Sequence, residues 1–255
     1  MEESIISEIV ERSHEALMSG SVPAGALSYL TDNRGLNVNY IKLFGIGFCS
    51  FELEKLINGV YYDGKSPIAP FPWAVHLRDK IVLPIKDDCD KLIAFATRGI
   101  GDGQSWWNVP FIKGNILFGL NLARSACFNL NKVYIVEGYM DQIICFQMGL
   151  QNVVAAMGTR FTLAHAGLVL RYCDRMCLCF DADPVTSSGA LGAGQRATKR
   201  TVKNYGNYFR QITAISLPIG IDPDEFILEH GKTSLLALEG APKEYEDIAN
   251  EEGWR

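Results

Sequence analysis

The chain has 255 residues, of which 48% are hydrophobic and 21% are charged, and its formal net charge is −5. This composition predicts a globular protein with a sizeable core and excludes a disordered chain. The net negative charge argues against a general nucleic-acid coating protein, which is usually basic, but it allows a local basic groove beside an acidic metal site.

No apolar stretch approaches the roughly 20 residues that a membrane helix needs. The first residues, Met1-Glu2-Glu3-Ser4, lack the basic region of a signal peptide, so the sequence predicts a cytoplasmic protein without membrane contact. Its seven cysteines include no Cys-x-x-Cys pair and are interpreted as reduced structural thiols. A metal cluster of Cys173, Cys177 and Cys179 is disfavoured, because Cys177 and Cys179 belong to an apolar run that no histidine flanks.

The first 130 residues show an irregular order of elements. Helical patterns are found near residues 5–17, 38–44 and 117–130. Residues 59–73 are rich in Gly, Pro and aromatic residues and predict a loop. A hairpin is predicted from strands 80–86 and 91–97, which the turn-forming residues 87–90 join. This region is therefore predicted to be mixed α+β.

From residue 132 onward, short apolar runs alternate with helical segments. The predicted strands are 132–137, 152–156, 175–181 and 210–217. The helices that follow them are 139–148, 162–171, 194–205 and 223–230. Such alternation predicts βαβ units and a mostly parallel sheet flanked by helices, which makes the overall class α/β.

Acidic side chains follow three of these strands. Glu137 ends the first, with Asp141 four residues further on, Asp181 and Asp183 follow the third, and the run 222–225 comes after the fourth. Because the carboxyl ends of parallel strands meet at one edge, these carboxylates are expected to converge there. Converging carboxylates repel each other unless a divalent cation neutralises them, and Mg²⁺ prefers such oxygen ligands.

Each of these acids also has a simpler interpretation when taken alone. Glu137 could be a solvated strand end, and the pair Asp181 and Asp183 could arise by chance. The run Asp222-Pro223-Asp224-Glu225 could serve only as a helix start, where acids favour the helix dipole. Their recurrence at successive strand ends of one sheet favours the shared metal site.

These motifs resemble the Toprim domain, which occurs in primases, type IA and type II topoisomerases, OLD-type nucleases, RecR-like repair proteins and a ribosomal-RNA maturase. The matching segments are Glu137-Gly-Tyr-Met-Asp141, the turn 156–159, Phe180-Asp-Ala-Asp183 and residues 217–226. Upstream segments resemble, in collinear order, the catalytic core of bacterial-type (DnaG-like) DNA primase; they are residues 29–30, 34–36, 44–47, 78–87, 93–98 and 111–124. The resemblance covers residues 25–232.

The resemblance implies three parts: a basic, template-binding primase-core N-terminal subdomain over residues 1–130, a Toprim catalytic domain over 131–235, and a short acidic tail over 236–255. It implies catalytic metal ligands at Glu137, Asp181 and Asp183, with Asp141, Asp222 and Asp224 as supporting acids for Mg²⁺, for which Mn²⁺ could substitute. It also implies nucleic-acid or nucleotide contacts by basic residues of this chain. They are Arg34, Arg78, Lys86, Arg98, Lys113 and Arg124.

The implied activity is template-directed synthesis of short RNA primers from ribonucleoside triphosphates on single-stranded DNA, by two-metal nucleotidyl transfer. The implied partners are the DNA template, the nucleotides, the RNA product, and a replicative helicase within a primosome. No zinc is expected in this chain, because the family's zinc-binding module has no counterpart before residue 25, and the helicase-interacting domain has none after residue 232. Such a trimmed core suits a virus or mobile element, with action in the host cytoplasm and a separate zinc-binding module.

Two local departures from the family pattern stand out. Ser105-Trp106-Trp107-Asn108 replaces a lysine-tyrosine pair, so one basic contact is lost; the tryptophans could stack on bases or pack within the protein. Residues 184–192 form an insertion beside the expected metal ligands, either a gate or a surface loop. Two other functions stay open: a Toprim-type metal-dependent nuclease, and a non-catalytic nucleic-acid-binding subunit, which the buried acidic set disfavours.

Overall fold

A computed structural model of the chain describes residues 2–23, 25–50, 53–54, 76–101, 103–182 and 192–240. The predicted loop over residues 59–73 lies outside the described residues. By its contacts, the chain divides into two compact units, Met1–Lys86 with Lys91–Phe111, and Asp87–Asp90 with Ile112–Arg255. The functional division at residue 130 that the resemblance implies stays a prediction.

The first unit combines short helices with an antiparallel sheet. Its helices are α1 (Glu2–Ser19), α2 (Gly25–Ser28), which continues into a π-helical turn over Tyr29–Asn33, and α3 (Val38–Leu43). Its strands are β1 (Gly47–Cys49), β2 (Lys80–Lys86), β3 (Leu92–Gly99) and β4 (Trp107–Asn108). They pair antiparallel in the order β1-β2-β3-β4. The predicted hairpin is confirmed as β2 and β3.

Helix α1 lies directly on strand β1. Ile5, Ile9 and Leu17 recur at helical spacing on one side of α1 and are almost fully buried. A Cβ atom at Gly47 would lie 2.4 Å from the backbone carbonyl carbon of Ser13. Only glycine therefore allows the helix to come this close to the strand.

The second unit contains the predicted parallel sheet. Its strands are β5 (Val133–Val136), β6 (Val153–Ala155), β7 (Arg175–Leu178) and β8 (Gln211–Ala214). All neighbouring strands are parallel, in the order β6-β5-β7-β8. The helices are α4 (Leu120–Leu130), α5 (Tyr139–Gln147), α6 (Leu163–Leu170), α7 (Ala193–Tyr205) and α8 (Pro223–Ala237). The α/β class is confirmed.

The core of this unit follows the alternation of side chains along its strands. Ile135, Val154 and Leu178 contribute to one continuous apolar cluster. Cys177 and Cys179 are also fully buried, and all seven cysteines are free thiols. Burial raises the pKa of the Cys177 thiol to about 12, so this group packs as a small neutral hydrophobe. Among the described residues, no helix combines the length and apolarity needed to cross a bilayer.

Several strands and helices end at other residues than the sequence predicts. Strand β7 stops at Leu178 rather than at residue 181, although the Cys179 N–H still donates a hydrogen bond to the Ile135 carbonyl at 2.8 Å. Helix α8 is longer than predicted and runs to Ala237, but Gly231 has a non-helical backbone (φ 80°, ψ 165°). The predicted end at residue 230 thus coincides with a real break in the helix.

A charged group closes the outer edge of the parallel sheet. Glu239 pairs with Ile215 in an isolated β-bridge and accepts hydrogen bonds from Lys132 Nζ at 2.5 and 2.6 Å. Thr213 Oγ1 donates to the same carboxylate at 2.6 Å, and the Tyr134 hydroxyl donates at 3.2 Å. The predicted acidic tail over residues 236–255 is described only as far as residue 240. In that part, Glu239 anchors the chain to the sheet.

Candidate active site

Two of the predicted acids meet at the carboxyl edge of the parallel sheet. Glu137 directly follows strand β5 and is 8% exposed. Asp181 lies just after the neighbouring strand β7. Glu137 Oε1 accepts a hydrogen bond from the Asp181 backbone N–H at 3.3 Å. The convergence expected from strand order is therefore present for this pair.

Two more carboxylates come from the first turns of helices α5 and α8. Asp141 Oδ2 accepts the Gly138 N–H at 2.9 Å and caps α5, and Asp224 Oδ1 accepts the Glu225 N–H at 2.9 Å. Asp141 and Asp224 are each 7% exposed. Burial, followed by the negative charges of Asp224, Asp181 and Asp222, raises the pKa of Asp141 well above its ordinary value. Asp141 therefore interacts electrostatically with the other three acids.

Asp222 differs from these buried acids because it is exposed to solvent. It is the N-cap residue of α8, and its side chain makes no capping hydrogen bond. Asp183 and residues 184–191 lie outside the described residues, and so does nearly all of the predicted insertion. The structure thus places five of the six predicted acids: Glu137, Asp141, Asp181, Asp222 and Asp224.

The N-terminus of α7 rests on this edge through Gly194. A Cβ atom at this position would lie 2.2 Å from the Asp181 carbonyl oxygen and 3.0 Å from Glu137 Oε1. Any side chain would push the helix away from the two acids. The sequence showed a helix start here, but the requirement for glycine depends on packing that no local pattern reveals.

The donors at this edge fit a hard divalent cation by their chemistry. All of them are carboxylates, which suit Mg²⁺ and offer nothing to a soft metal. In the described part of the chain, the only trio of metal-binding side chains with donor atoms within 4.8 Å of one another is Asp87, Asp88 and Cys89. No three of the described edge acids bring their donor atoms within this distance. A divalent cation would offset the repulsion between them.

The Asp87–Asp90 turn, which belongs to the second unit, is held by hydrogen bonds and an ion pair to other residues of that unit. Asp88 Oδ2 accepts the Tyr172 hydroxyl at 2.8 Å and pairs with Arg171 Nη1 at 2.9 Å. Arg124 Nη1 donates to the Asp88 carbonyl oxygen at 2.5 Å. These bonds join the turn to α4 and to the residues that follow α6. Arg124, one of the predicted nucleic-acid contacts, thus has a structural partner, and its contact with nucleic acid stays a prediction.

The predicted basic contacts of the first unit are engaged with other side chains. Arg78 Nε donates to Glu54 at 2.8 Å, and the Arg98 guanidinium lies 5.9 Å from the centre of the Trp106 ring. Trp107 stacks on His76 with ring centres 4.0 Å apart, which is packing within the protein. Arg34 and Lys86 are half-buried and also have partners. Their contacts with nucleic acid stay predictions.

Lys113 lies in the second unit, on a 3₁₀ turn over Lys113–Asn115 that is held by the N-cap residue of α6 and by a residue of its first turn. Thr162 Oγ1, at the N-cap of α6, donates to the Gly114 carbonyl at 2.6 Å. His165 Nε2 lies 3.0 Å from the Lys113 carbonyl, and His165 Nδ1 lies 3.4 Å from the Thr162 N–H. Sequence reasoning missed both residues: threonine is a common N-cap residue, but histidine is not part of the usual Ser/Thr-x-x-Glu/Gln capping box.

Comparisons with known proteins agree with this architecture. A family model described as Toprim-like matches residues 134–227. Over 228 residues the chain is 31% identical to the DNA primase of Clostridium acetobutylicum, which covers 84% of this chain and 37% of that protein. The chain therefore spans little more than a third of the length of the curated relatives it matches, 37% and 36% in two cases.

Solved structures show the same likeness. The zinc-binding and RNA polymerase domains of Aquifex aeolicus primase match with a TM-score of 0.78 and 26% identity, over 98% of this chain and 64% of that one. A DnaG primase catalytic domain solved with bound single-stranded DNA matches with a TM-score of 0.69 and 26% identity, over 92% of this chain and 79% of that one.

Proposed function

Because this chain carries a Toprim domain and is homologous to the catalytic core of bacterial DNA primases, we propose that it is a primase-type DNA-directed RNA polymerase. It synthesises short RNA primers on single-stranded DNA from ribonucleoside triphosphates during replication. The observation that carries this proposal is the group of carboxylates at the carboxyl edge of the parallel sheet, where Glu137 contacts Asp181 and the charges of Asp181 and Asp224 act on Asp141.

Glu137 and Asp181, together with Asp183, are the residues that would hold Mg²⁺, and Mn²⁺ could take its place. Asp141, Asp222 and Asp224 would support them from the first turns of two helices. A divalent cation supplies a nucleophile of lowered pKa and offsets charge on the leaving phosphate. Glu137 also restrains the backbone after β7 by accepting a hydrogen bond from the Asp181 N–H.

Template binding follows from the basic residues. Arginine and lysine contacts with phosphates position a strand without reading its sequence, as a primase requires. A related DnaG catalytic domain was solved bound to single-stranded DNA, which supports the same ligand here. Arg34, Arg78, Lys86, Arg98, Lys113 and Arg124 are the proposed contacts. We further propose that the chain acts in the cytoplasm with a replicative helicase and a separate zinc-binding module. We also propose that it comes from a virus or a mobile element.

The experiment that tests the proposal is primer synthesis on single-stranded DNA with labelled ribonucleotides and Mg²⁺ or Mn²⁺. Candidate helicase and zinc-module partners are added in a parallel series. Glu137→Gln and Asp181→Asn are compared with Glu229→Gln, which makes the same type of change at a side chain that is 75% exposed on α8. We expect oligoribonucleotides from the wild type and from Glu229→Gln, and a loss of about 10²-fold or more in the other two variants.

Absence of any oligoribonucleotide, even with the partners present, would overturn the primase proposal. Metal-dependent cutting of DNA without nucleotides, abolished by Asp181→Asn, would replace it with the nuclease alternative. Equal activity of the wild type and both acidic-edge variants would show that the reaction takes place elsewhere in the chain.

A further inference from the structure

A second candidate site lies in the second unit beside the carboxyl edge of the sheet. It is a pocket of about 610 Å³, within the range of small-ligand sites. Three segments line it: the turn 112–115, the loop 156–160 after β6, and the first turn of α6 at 162–164. We call it the Lys113–Arg160 pocket after its two charged residues. It is an open groove with room for a group larger than water.

The charge of this pocket is entirely positive. Lys113 and Arg160 line it, and none of its lining residues is acidic. Both side chains are exposed, and within the described part of the chain the charged group of neither one makes a hydrogen bond or an ion pair. Two cations on one concave surface repel each other, and an anion between them removes that repulsion. The pocket therefore favours an anionic ligand.

The backbone that carries these two cations is held firmly. Arg200 Nη2 donates to the Thr159 carbonyl at 2.6 Å, next to Arg160. The turn that carries Lys113 is bound to α6 through the Gly114 carbonyl at 2.6 Å. These two bonds restrain the backbone next to each cation. A site with a fixed backbone loses less entropy on binding than a mobile loop does.

The rim of the pocket is apolar. Ile112 is 72% exposed and Leu163 is 59% exposed, and both line the pocket. A ligand with a phosphate and a ring system could therefore place its phosphate on the cations and its ring or sugar on these side chains. This combination distinguishes a nucleotide unit from a simple inorganic anion.

The pocket also lies next to the acidic edge. Its loop follows β6, which pairs with β5, and the Gly158 N–H donates to the Glu137 carbonyl at 3.0 Å. A ligand held by Arg160 would thus lie one strand away from the carboxylates. Phosphates bound here could belong to the same substrate that reaches the proposed metal ligands.

We propose that Lys113 and Arg160 together form a phosphate-binding site for a nucleoside triphosphate or for the phosphodiester backbone of single-stranded DNA. Arg160 is not among the basic residues that the family resemblance implies. The pocket itself stands on its geometry and charge. The identification of the ligand as a nucleotide or as DNA rests on the proposed function.

The test measures binding to the full chain in EDTA, so that no divalent cation contributes. One arm measures ATP by calorimetry, and the other measures a fluorescent single-stranded oligodeoxynucleotide by anisotropy over a series of salt concentrations. The variants are Arg160→Ala and Arg160→Lys. The matched control is Arg210→Ala, because Arg210 is also exposed, belongs to the same unit, and lies at the opposite edge before β8.

We expect Arg160→Ala to weaken at least one of the two ligands about tenfold, with Arg160→Lys retaining part of the affinity and Arg210→Ala unchanged. If the ligand is DNA, the slope of log K against log salt should fall by about 0.7 for the one lost phosphate contact. Loss of ATP binding alone identifies the nucleotide as the carrier, and loss of DNA binding alone identifies the strand. Thermal unfolding of each variant verifies that it is folded.

Binding of both ligands by Arg160→Ala within twofold of the wild type would overturn the phosphate site, and so would a wild type that binds neither. These results are separable from the proposed function, because neither arm depends on primer synthesis. A chain that binds phosphates through Arg160 but makes no primers refutes the function alone. A chain that makes primers and binds equally well without Arg160 refutes the pocket alone.

Discussion

The backbone N–H of Asp181 donates a hydrogen bond to Oε1 of Glu137 at 3.3 Å. The bond joins the segments that follow two neighbouring parallel strands, β5 and β7, so it ties the Glu137 carboxylate to the backbone of Asp181. Gly194 of α7 lies against both residues. The candidate active site is therefore built by the core of the second unit and is sensitive to changes in packing below it.

Gly194→Ala should destabilise the protein and disturb the acidic edge. The added Cβ would lie 2.2 Å from the Asp181 carbonyl oxygen, so helix and strand ends must move apart. We expect a loss of about 1–3 kcal/mol in the free energy of unfolding, measured with urea. Gly167→Ala on α6 is the control, because its Cβ would meet nothing within 4 Å. That change should be neutral or stabilise by about 0.5–1 kcal/mol. Equal effects of the two substitutions would contradict this packing.

Asp224→Asn should stabilise the protein when divalent cations are absent. The substitution removes one of the negative charges that act on Asp141, while an amide oxygen could still accept the Glu225 N–H. We expect a melting temperature in EDTA about 2–4 °C above that of the wild type. Added Mg²⁺ should then stabilise the wild type more than the variant, because a bound ligand stabilises according to its affinity.

Glu229→Gln is the reference for this experiment, since it also removes one carboxylate charge but at an exposed position of the same helix. It should leave both melting temperatures close to those of the wild type. A lower melting temperature for Asp224→Asn in EDTA, or an equal response of all three proteins to Mg²⁺, would show that Asp224 is not part of a cation site.

The hydrogen bonds of the Glu239 carboxylate should make the free energy of unfolding depend on pH in the acidic range. Burial opposes ionisation of this carboxyl group, but hydrogen bonds from Lys132, Thr213 and Tyr134 outweigh it and lower the pKa of Glu239 below its ordinary value of 4.5. A lowered pKa in the folded state stabilises the protein fully above about pH 4.5, and this contribution is lost as the pH falls through the folded-state pKa.

Glu239→Gln should accordingly reduce the free energy of unfolding at pH 7 by about 1.5–3 kcal/mol, since it removes the charge that Lys132 pairs with. The difference between variant and wild type should shrink as the pH falls below about 4.5. Urea unfolding at a series of pH values measures it. A difference that stays constant over this range would show that the charge of Glu239 contributes nothing.

His165 should stay neutral under mildly acidic conditions. Its Nδ1 lies within reach of the Thr162 N–H and its Nε2 within reach of the Lys113 carbonyl, an arrangement that requires the neutral ring with a proton on Nε2. Burial lowers the pKa of His165 below its ordinary 6.5. The unfolded chain therefore takes up this proton at a higher pH than the folded chain, and the free energy of unfolding falls as the pH falls below about 6.5.

Imidazole ¹⁵N chemical shifts recorded between pH 7.5 and 5 measure this directly. The His165 ring should keep the neutral Nε2–H pattern at pH 6, and the resonance is assigned by its loss in His165→Gln. A ring that is already protonated at pH 6 would contradict the assigned hydrogen bonds and the proposed fixation of the Lys113 turn.

Much of the fold of the second unit follows from periodicity alone. Apolar runs of strand length alternate with helical patterns, and each predicted strand from residue 132 onward is found with its ends displaced by no more than three residues. Strands β1 and β4 of the first unit were not predicted. They have three and two residues, and their pairing with β2 and β3 depends on contacts distant in sequence.

The candidate site divides in the same way. That Glu137 and Asp181 would meet follows from strand order, because parallel strands end at a shared edge. The demand for glycine at position 194 and the anchoring of the Lys113 turn by His165 depend on which surfaces pack together. Arg160 was not predicted as a binding residue from the sequence, because a single arginine in a loop belongs to no recognisable motif. Only the shared pocket pairs it with Lys113.

The central claim is that the carboxylates at the carboxyl edge of the parallel sheet bind a divalent cation. Anomalous diffraction from crystals of the chain soaked in Mn²⁺ tests it most directly. We expect a manganese peak in contact with the carboxylates of Glu137 and Asp181, and its loss in crystals of Asp181→Asn. A peak only at the Asp87–Asp88–Cys89 turn, with none at the carboxyl edge, would contradict the claim.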